Sequence, residues 1–448
     1  MNLNRRHLLT AAATGAAAFA APAVAAPLSA FGLDAAHFGV RPGAAGDQSS
    51  ALQRAIDQAA HARVPLMLAP GVYRAGALTL PAGASLAGVR GATRLMLTHG
   101  PSLLSAEHAD TVSLTGLTLD GGSQPLPAGR ALVHFDDVKA VRISDCEVAG
   151  AGGNGVTLES CDGEVTHNMI TGAADNALFC NDSRSLLIAA NIIAKSGNGG
   201  IRVWQSDKRR DGSLIADNRI EDTGARAGGT GENGNAINVF RAADVIVRGN
   251  HIRNAAFSAI RGNSASNIQI IGNNCAALDE TAIYSEFGFE GAVIADNVID
   301  GAENGISVTN FNEGGRLATV RGNIVRNLGT RRANRPPEEA GVGIGVEADT
   351  VVSGNVIERA PRAGISVGWG PYLRNVAVTG NVVREAGFGV AVSVVAGAGV
   401  AVISGNLIAG ERRSAIIGME WDKAVTGDLA LAGAERYPQL KISGNQVS

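Results

Sequence analysis

Aromatic and charged residues are scarce in this sequence, at 4% and 18% of its 448 positions. A formal net charge of -3 leaves no basic excess that would indicate nucleic-acid binding. None of the four cysteines lies in a C-x-x-C pair, so their spacing does not predict a zinc site. Beyond the first 26 residues, no run is apolar enough to cross a bilayer. We therefore expect neither a nucleic-acid partner nor an integral membrane segment in the mature chain.

Glycine and short runs of β-branched residues are abundant instead, and they recur with a period. Gly occupies 59 positions, and Val-Arg-Gly-Asn occurs at 247–250 and again at 320–323. The equivalent Asn residues lie at positions 168, 191, 218, 250, 273, 297, 323, 355, 381, 406 and 445. The shortest steps between them are 23 residues, and the longer steps contain insertions. A repeat of this length without helical periodicity is typical of a stacked solenoid.

Each repeat also contains a short run of the pattern small-Ile-x-Val, as at 200–203 and 305–308. Together with the Val-rich run before the Asn and the Ile-rich run after it, this gives three strands in each coil. A leucine-rich repeat would need Leu at fixed places and a helical segment, and neither is present. We predict an all-β fold, a right-handed parallel β-helix with three sheets and about 12 coils. The handedness follows from the crossover preference of parallel strands.

The column of Asn residues has a structural explanation. Where every coil turns sharply at the same place, Asn tolerates the left-handed backbone, and its amide hydrogen-bonds to the Asn above and below. A catalytic or metal-binding role is disfavoured, because Asn is a poor base and eleven copies are more than one site needs. We therefore predict an Asn ladder along one corner of the solenoid.

The first residues have the features of an export signal. An arginine pair at positions 5 and 6 precedes an Ala-rich apolar run from 8 to 21, and Ala-Val-Ala at 23–25 forms a small-residue cleavage site. The run is too short for a permanent membrane helix, so residues 1–26 are predicted to be a twin-arginine signal peptide. We expect an exported protein that is periplasmic or secreted.

Export permits disulfide bonds, so the cysteines have two interpretations. Cys146 falls at the ladder position of its coil, and Cys180 falls in the inward column of a small-Ile-x-Val strand. These positions favour buried free thiols, for Cys161 and Cys275 as well. A bridge between Cys161 and Cys180 in adjacent coils is the alternative.

Ahead of the regular repeats, residues 47–62 have the apolar spacing of a helix, with Asp47 or Ser49 as its N-cap. Short strands and the segment Pro-Gly-Val-Tyr at 70–73 follow. This arrangement resembles the start of the pectin-lyase-like β-helix superfamily, in which a helix plugs the open end of the solenoid and protects its strand edges. We assign residues 27–80 to a lead and N-terminal capping helix with the first strands, and residues 81–448 to the β-helix.

The arginine pair and the ladder repeat together look like the family of twin-arginine-translocated repetitive proteins within that superfamily. The resemblance covers nearly the whole chain and implies fold and export, but no activity. In the lyases and hydrolases of the superfamily, the substrate groove lies over the strand equivalent to small-Ile-x-Val. Loop lengths predict a groove here independently, because insertions flank the same strand at 205–212, 225–235, 287–291, 310–315, 329–341 and 368–374.

Strand alternation places the x residue, and the residue after Val, on the outer face. In the middle coils these positions form one polar and aromatic patch: Arg202, Trp204, Asn238, Phe240, Arg261, Asn263, Tyr284 and Glu286. Trp204 and Phe240 are predicted to stack on sugar faces, with Asn238, Asn263 and Arg202 as further substrate-binding residues. A solvated polar face with incidental ion pairs is the alternative explanation of the patch.

The catalytic candidates in this patch are Arg261, Tyr284 and Glu286. Elimination across a uronic acid needs a cation that neutralises the carboxylate and a base that takes the α-proton. Arg261 or Arg202 is predicted to supply the cation, and Tyr284 the base. Glu286 is predicted to be a base, a Ca²⁺ ligand or the ion-pair partner of Arg261.

Other activities have less support in the sequence. The chain lacks the Gly-His-Gly and Arg-Ile-Lys motifs of the polygalacturonases that it resembles in fold, and Glu286 has no evident carboxyl partner for glycoside hydrolysis. An acidic cluster for Ca²⁺ is also missing, so no metal or other cofactor is predicted. We expect a polysaccharide lyase or epimerase that acts on an acidic glycan. The alternatives are a non-catalytic glycan-binding solenoid and a structural protein of the cell envelope.

Overall fold

The structure is a computed structural model that describes residues 32–229, 231–329 and 340–448. The predicted signal peptide at 1–26 lies outside the described residues, as does most of the insertion at 329–341. Over the described part, the chain winds into a parallel β-helix with three strand faces. No helix in these ranges is both long enough and apolar enough to span a membrane.

Three strand columns build the solenoid, as predicted. We call the small-Ile-x-Val strands sheet A, the strands before the ladder Asn sheet B, and the strands after it sheet C. Sheet A consists of Leu78–Thr79, the first parts of Leu104–Thr115 and Ala131–Ser144, Asn154–Glu159, Asn176–Asn181, Gly199–Arg210, Asn235–Ala243, Ile260–Asn263, Thr281–Glu286, Asn304–Thr309, Val342–Val346, Ala363–Val367, Phe388–Ser393 and Ser414–Glu420.

The strands Leu104–Thr115 and Ala131–Ser144 begin in sheet A, bend, and continue into sheet B. Sheet B consists of Leu33–Asp34, Leu66–Met67, Ala84–Ala87, the second parts of Leu104–Thr115 and Ala131–Ser144, Gly163–Thr166, Leu187–Ala189, Leu214–Ala216, Ile246–Arg248, Ile268–Ile271, Glu290–Ala295, Arg316–Arg321, Ala348–Ser353, Arg374–Thr379, Ala401–Ser404 and Leu440–Ser443. Sheet C consists of Gly71–Ala75, Thr93–Leu97, Thr118–Asp120, Glu147–Ala149, Met169–Thr171, Ile192–Ala194, Arg219–Thr223, His251–Ala255, Asn274–Ala276, Val298–Asp300, Ile324–Arg326, Val356–Glu358, Val382–Arg384, Leu407–Ala409 and Gln446–Val447.

The interior is filled by stacked aliphatic side chains. Because side chains alternate along a strand, the Ile and Val of each sheet A strand point inward. Ile237, Ile260, Ile283 and Ile306 pair in register from coil to coil and are at most 1% exposed. Repeated coils need side chains of one similar size, which explains how a long core forms with few aromatic residues.

The predicted Asn ladder is present. Nδ2 of Asn250 donates to Asn273 Oδ1 and to Ile215 O, each at 3.0 Å. Its Oδ1 accepts from the backbone N and from Nδ2 of Asn218, also at 3.0 Å. The same arrangement links every rung from Asn168 to the last one. The ladder thus satisfies polar groups that the corner would otherwise bury without partners.

One detail of the ladder prediction is wrong. The left-handed residue at the corner is the residue before each Asn, as with Asp217 (φ 56°), Gly249 (φ 63°) and Gly272 (φ 65°), and the ladder Asn residues do not have positive φ. The amide must lie inside the corner to reach the neighbouring coils, and the preceding residue makes the tight turn. Gly and Asp tolerate that conformation best, which explains why they precede the Asn so often.

The N-terminal end is covered by helix α1, Ser49–Ala62, as predicted. Leu52 and Ile56 of this helix are buried in the core. Its N-cap is Gln48 rather than Asp47 or Ser49, although Asp47 Oδ1 accepts a hydrogen bond from Ser49 N at 3.0 Å. The helix therefore begins two residues after the predicted start at Asp47, and the Asp47 carboxylate still satisfies one of its free N–H groups.

Irregular elements lie near both ends. A 3₁₀ turn, Ala35–Phe38, precedes helix α1, and a second one, Ala434–Arg436, lies in the last long connection. In that connection the strand Lys423–Asp428 pairs antiparallel with Ser414–Glu420. The last strand of sheet A thus forms one arm of a hairpin.

The cysteines are free and buried, in agreement with the favoured interpretation. Cys146 occupies a ladder position, where its backbone N donates to Asn168 Oδ1 at 2.9 Å. Burial raises the pKa of Cys161 and of Cys275 to about 12. These thiols act as small apolar core residues.

The corners of the coil differ in length. From residue 104 onward, two residues join sheet B to sheet C in every coil, the left-handed residue and the one at the ladder position. The connections on either side of sheet A vary, with insertions at 224–234 before it and at 310–315 after it. Loops that contain insertions therefore flank the outer face of sheet A on both sides, as expected from the loop lengths.

Candidate functional site

Residues 224–229 and 231–234 of the insertion form one wall beside the middle of sheet A. Two sheet A side chains fix it in place: Arg202 Nη2 donates to Asn233 Oδ1 at 2.5 Å, and Asn238 Nδ2 donates to Gly231 O at 2.9 Å. The wall is thus hydrogen-bonded to the outer face rather than projecting freely into solvent.

The opposite wall is an extension of the strand Gly199–Arg210. Lys208 Nζ donates to Gly288 O at 2.9 Å, so this extension crosses the neighbouring coils. We call the outer face of sheet A from Gly199–Arg210 to Ala363–Val367 the sheet A groove. It contains seven strands and is about 29 Å long at a strand spacing of about 4.8 Å.

A cluster of aromatic rings in edge-to-face and tilted contact lies at the first end of this groove. The ring centroids of Phe179 and Trp204 are 5.5 Å apart, and those of Trp204 and Phe240 are 5.4 Å apart. Trp204 Nε1 donates to Asn238 Oδ1 at 3.2 Å. Trp204, Asn238, Phe240 and Asn263 line a cavity of about 360 Å³, so two aromatic rings and two amides share one space.

Arg202 contacts both the Trp204 ring and the wall at this end of the groove. It is 7% exposed, and its Cζ lies 5.1 Å from the centroid of the Trp204 ring. Burial lowers the pKa of Arg202. Its Nε has no hydrogen-bond partner among the described residues. In this structure Arg202 holds the wall and the Trp204 ring in place.

The centre of the groove is an ion-pair cluster. Arg261 donates to Glu286 through two parallel hydrogen bonds, Nε to Oε1 at 2.7 Å and Nη2 to Oε2 at 3.0 Å, and both side chains are buried. Arg261 Nη1 also lies 3.6 Å from Glu280 Oε2, and Asn263 Nδ2 donates to Glu286 Oε1 at 3.1 Å. Burial opposes the charge, but the pairing with Glu286 outweighs it and holds the pKa of Arg261 above its ordinary value.

Tyr284 joins this cluster to the rest of the groove. The Arg261 Cζ lies 4.7 Å from the centroid of its ring, a cation–π distance. Burial raises the pKa of Tyr284, so the phenol is protonated at neutral pH. The same side chain lines a second cavity, and it is therefore open to a ligand on one side.

The second cavity, about 250 Å³ in volume, lies over the coils that follow Tyr284. Glu347, Ser307, Thr309, Ser366 and Trp369 are among its lining residues. Burial raises the pKa of Glu347, against the opposing effect of two backbone hydrogen bonds. None of these five residues was selected from the sequence, although all except Trp369 occupy outward columns or the positions beside them.

All eight residues predicted from the sequence lie on the outer face of sheet A. They form two groups: Arg202, Trp204, Asn238 and Phe240 at the first cavity, and Arg261, Tyr284 and Glu286 at the ion-pair cluster, with Asn263 in contact with both. Among the three roles suggested for Glu286, the ion pair with Arg261 is present. The roles of base and Ca²⁺ ligand stay predictions.

An acidic column that we did not expect from the sequence lies in the first coils. Glu107, Asp136 and Glu159 pair in register on adjacent strands, and with His134 and Arg130 they line a cavity of about 330 Å³. Two of its three coils, those of Glu107 and Asp136, have no Asn at the corner, so the ladder does not set their register. Counting back from Glu159, whose coil contains Asn168, finds the column by strand alternation. Within the described ranges, no group of three or more His, Cys, Asp or Glu residues is arranged to hold a metal ion.

Comparison with known proteins identifies the type of fold. The sequence matches the family described as right handed beta helix region over residues 105–231 and 131–325, together just under half of the chain. No curated protein matches the sequence significantly.

Two similar solved structures come from bacteriophage phi29. The pre-mature gene product 12 superposes with a TM-score of 0.59 at 15% identity, covering 88% of this chain. This chain spans 58% of that protein, less than two thirds of it. The N-terminal fragment of the same gene product gives a TM-score of 0.56 at 14% identity, over 88% of this chain and 74% of the fragment. The protein is therefore a right-handed parallel β-helix.

Proposed function

We propose that the protein binds an extended glycan along the sheet A groove. The observation that carries this proposal is the cavity in which the rings of Trp204 and Phe240 meet the amides of Asn238 and Asn263. A sugar ring has an apolar face that packs on an aromatic ring and hydroxyls that need polar partners, and this cavity offers both. The length of the groove suits several sugar rings in a row.

Trp204→Ala is expected to lower glycan affinity about tenfold to a hundredfold, because losing one buried aromatic contact costs roughly 1.5–3 kcal/mol. Binding is measured by calorimetry, after a glycan array of neutral and acidic polysaccharides has identified ligands. Tyr437→Ala, an aromatic change near the C-terminal end and outside the groove, serves as the control. Glycan binding that is unchanged in both Trp204→Ala and Phe240→Ala, or no binding to any glycan, would refute the proposal.

A second candidate function is elimination or epimerisation of a uronate at the ion-pair cluster. It is favoured by the contact between Tyr284 and Arg261, which brings a proton-transfer group and a cation together beside a cavity. In this candidate, Arg261 neutralises the substrate carboxylate, the α-proton moves to a base, and the glycosidic oxygen leaves with a proton in the lyase case. In the epimerase case a proton returns to the opposite face of the same carbon.

The pH dependence of turnover tests whether Tyr284 acts as the base. As a base, Tyr284 must lose its proton, so turnover is expected to rise about tenfold per pH unit up to its raised pKa. Turnover is measured on pectate, alginate and glycosaminoglycans as absorbance of unsaturated products, and epimerisation as uptake of solvent deuterium. Tyr284→Phe is expected to abolish both while leaving binding intact. Absence of turnover and of exchange on all these substrates would leave glycan binding without catalysis.

A further inference from the structure

The proposed glycan binding does not specify what the second cavity of the groove binds. We propose that it is a separate subsite, which takes an uncharged, hydroxyl-rich sugar ring of the bound glycan. This inference rests on the proposed glycan binding and specifies what kind of ring binds at one point of the groove.

The cavity is lined with groups that match sugar hydroxyls. Thr281, Ser307, Thr309 and Ser366 contribute hydroxyls, and the Oγ atoms of Ser307 and Thr309 lie 2.9 Å apart. A hydroxyl both donates and accepts hydrogen bonds, as a sugar hydroxyl does, so such a surface pairs with a polyol in several orientations. No lysine lines the cavity, and its one arginine, Arg362, also lies against an aromatic ring, with its Cζ 5.8 Å from the centroid of Trp369.

Glu347 provides a fixed acceptor in this cavity. Its Oε2 accepts from the backbone N of Asn310 at 2.8 Å and from that of Phe311 at 2.9 Å. These two bonds orient the carboxyl group and leave Oε1 for a ligand. Within the described ranges, Glu347 has no ion-pair partner within 4.0 Å, unlike Glu286 in the neighbouring cluster.

The charge of Glu347 determines which ligands are acceptable. A carboxylate that accepts from a sugar hydroxyl makes a strong, charge-assisted hydrogen bond. A second carboxylate on the ligand would be repelled at the same distance, and burial strengthens that repulsion. The subsite therefore favours a neutral ring over a uronate.

Trp369 provides an apolar surface at the edge of the cavity. It is 41% exposed, so part of its ring remains open to a ligand. Its other contacts hold it in place, since its centroid lies 5.8 Å from that of Trp421 at an angle of 75°. An oriented aromatic ring beside a polar pocket is the combination also found at Trp204.

The two cavities are parts of one path. Tyr284 lines the second cavity and contacts Arg261, whose strand neighbours include Asn263 of the first cavity. Successive coils are about 4.8 Å apart, so a glycan that runs parallel to the solenoid axis passes from one cavity to the other. The ring in the second cavity is then a neighbour of the ring at the ion-pair cluster.

The test uses calorimetry with two sets of probes: neutral gluco-, galacto- and manno-oligosaccharides, and galacturonate and alginate oligosaccharides. Glu347→Gln keeps an acceptor for the backbone N–H groups but replaces the carboxylate, and Trp369→Ala removes the ring. Each is expected to lower affinity for a neutral-ring ligand about tenfold. Glu358→Gln on sheet C is the matched control and is expected to have no effect. Ligand-induced quenching of tryptophan fluorescence is expected to decrease in Trp369→Ala.

The outcomes separate this inference from the proposed function. If Trp204→Ala weakens binding while Glu347→Gln and Trp369→Ala do not, the glycan binds in the groove but the second subsite is wrong. Because Glu347→Gln removes the repulsion, it is expected to strengthen binding of the acidic probes. If the acidic probes bind the unmodified protein more tightly than the neutral probes and gain nothing in Glu347→Gln, the ring at this point is charged and the inference is overturned. If the unmodified protein binds no probe of either set, the inference falls together with glycan binding.

Discussion

Replacing Asn250 with alanine is expected to lower the free energy of unfolding by about 3–5 kcal/mol. The change removes the hydrogen bonds that join Asn250 to Asn218, Asn273 and Ile215. The backbone N–H of Asn218 and the carbonyl of Ile215 then lose partners in a corner that water does not reach, and each such group costs roughly 1–3 kcal/mol. Urea unfolding followed by circular dichroism measures the loss.

Asn445→Ala is the matched control, because Asn445 is the last rung of the same ladder. Its side chain accepts from the backbone N and Nδ2 of Asn406 and donates to Ile403 O, but it is only half-buried, and among the described residues no later Asn stacks on it. Water replaces the lost bonds there, so the expected cost is below about 1 kcal/mol. Equal losses at Asn250 and Asn445 would show that the ladder contributes through something other than buried hydrogen bonds.

Arg261→Ala is expected to destabilise the protein by about 3–5 kcal/mol, irrespective of any catalytic role. The Glu286 side chain is 5% exposed, and without Arg261 it would be a buried charge with Asn263 as its remaining hydrogen-bond donor in the cluster. The double variant Arg261→Ala/Glu286→Ala removes both charges. Its expected stability is higher than that of Arg261→Ala alone, and thermal unfolding of the four proteins in the cycle measures the coupling.

The same cycle of four proteins also helps to explain a loss of activity in Arg261→Ala. Loss of turnover in Arg261→Ala has two sources, a missing cation and a disturbed groove. Strict additivity of the two single changes would mean that the ion pair contributes no coupling energy, contrary to the geometry of two parallel hydrogen bonds.

The fold could be predicted because the sequence repeats the same evidence many times. From Asn168 onward, every coil carries an Asn at the corner and alternating aliphatic residues in its strands, so an irregularity in one coil does not alter the prediction. The backbone of the corner was predicted wrongly because Asn and the Gly before it both tolerate left-handed φ. Which of the two residues takes the left-handed conformation depends on where the Asn amide must point. That direction is set by the hydrogen-bond partners in the neighbouring coils.

The candidate site was partly predictable for the same reason. Alternation identifies which side chains lie on the outer face, and it placed Trp204, Arg261 and Tyr284 there together. It does not identify contacts made by insertions, because loops have no period. The cavity at Glu347 depends on the turn that carries Asn310 and Phe311, whose N–H groups orient the carboxyl group. The acidic column at Asp136 was missed because the coils of Glu107 and Asp136 lack the ladder Asn that sets the register.

The unequal corners of the coil have a consequence for how such proteins diverge. The two-residue corner fixes the pitch of each turn, so a residue gained or lost there would displace every later strand. A residue gained beside sheet A lengthens one loop and leaves the next rung where it was. Homologous β-helix proteins can therefore change their ligand through changes in loop length alone. The coils that carry the loops keep their structure.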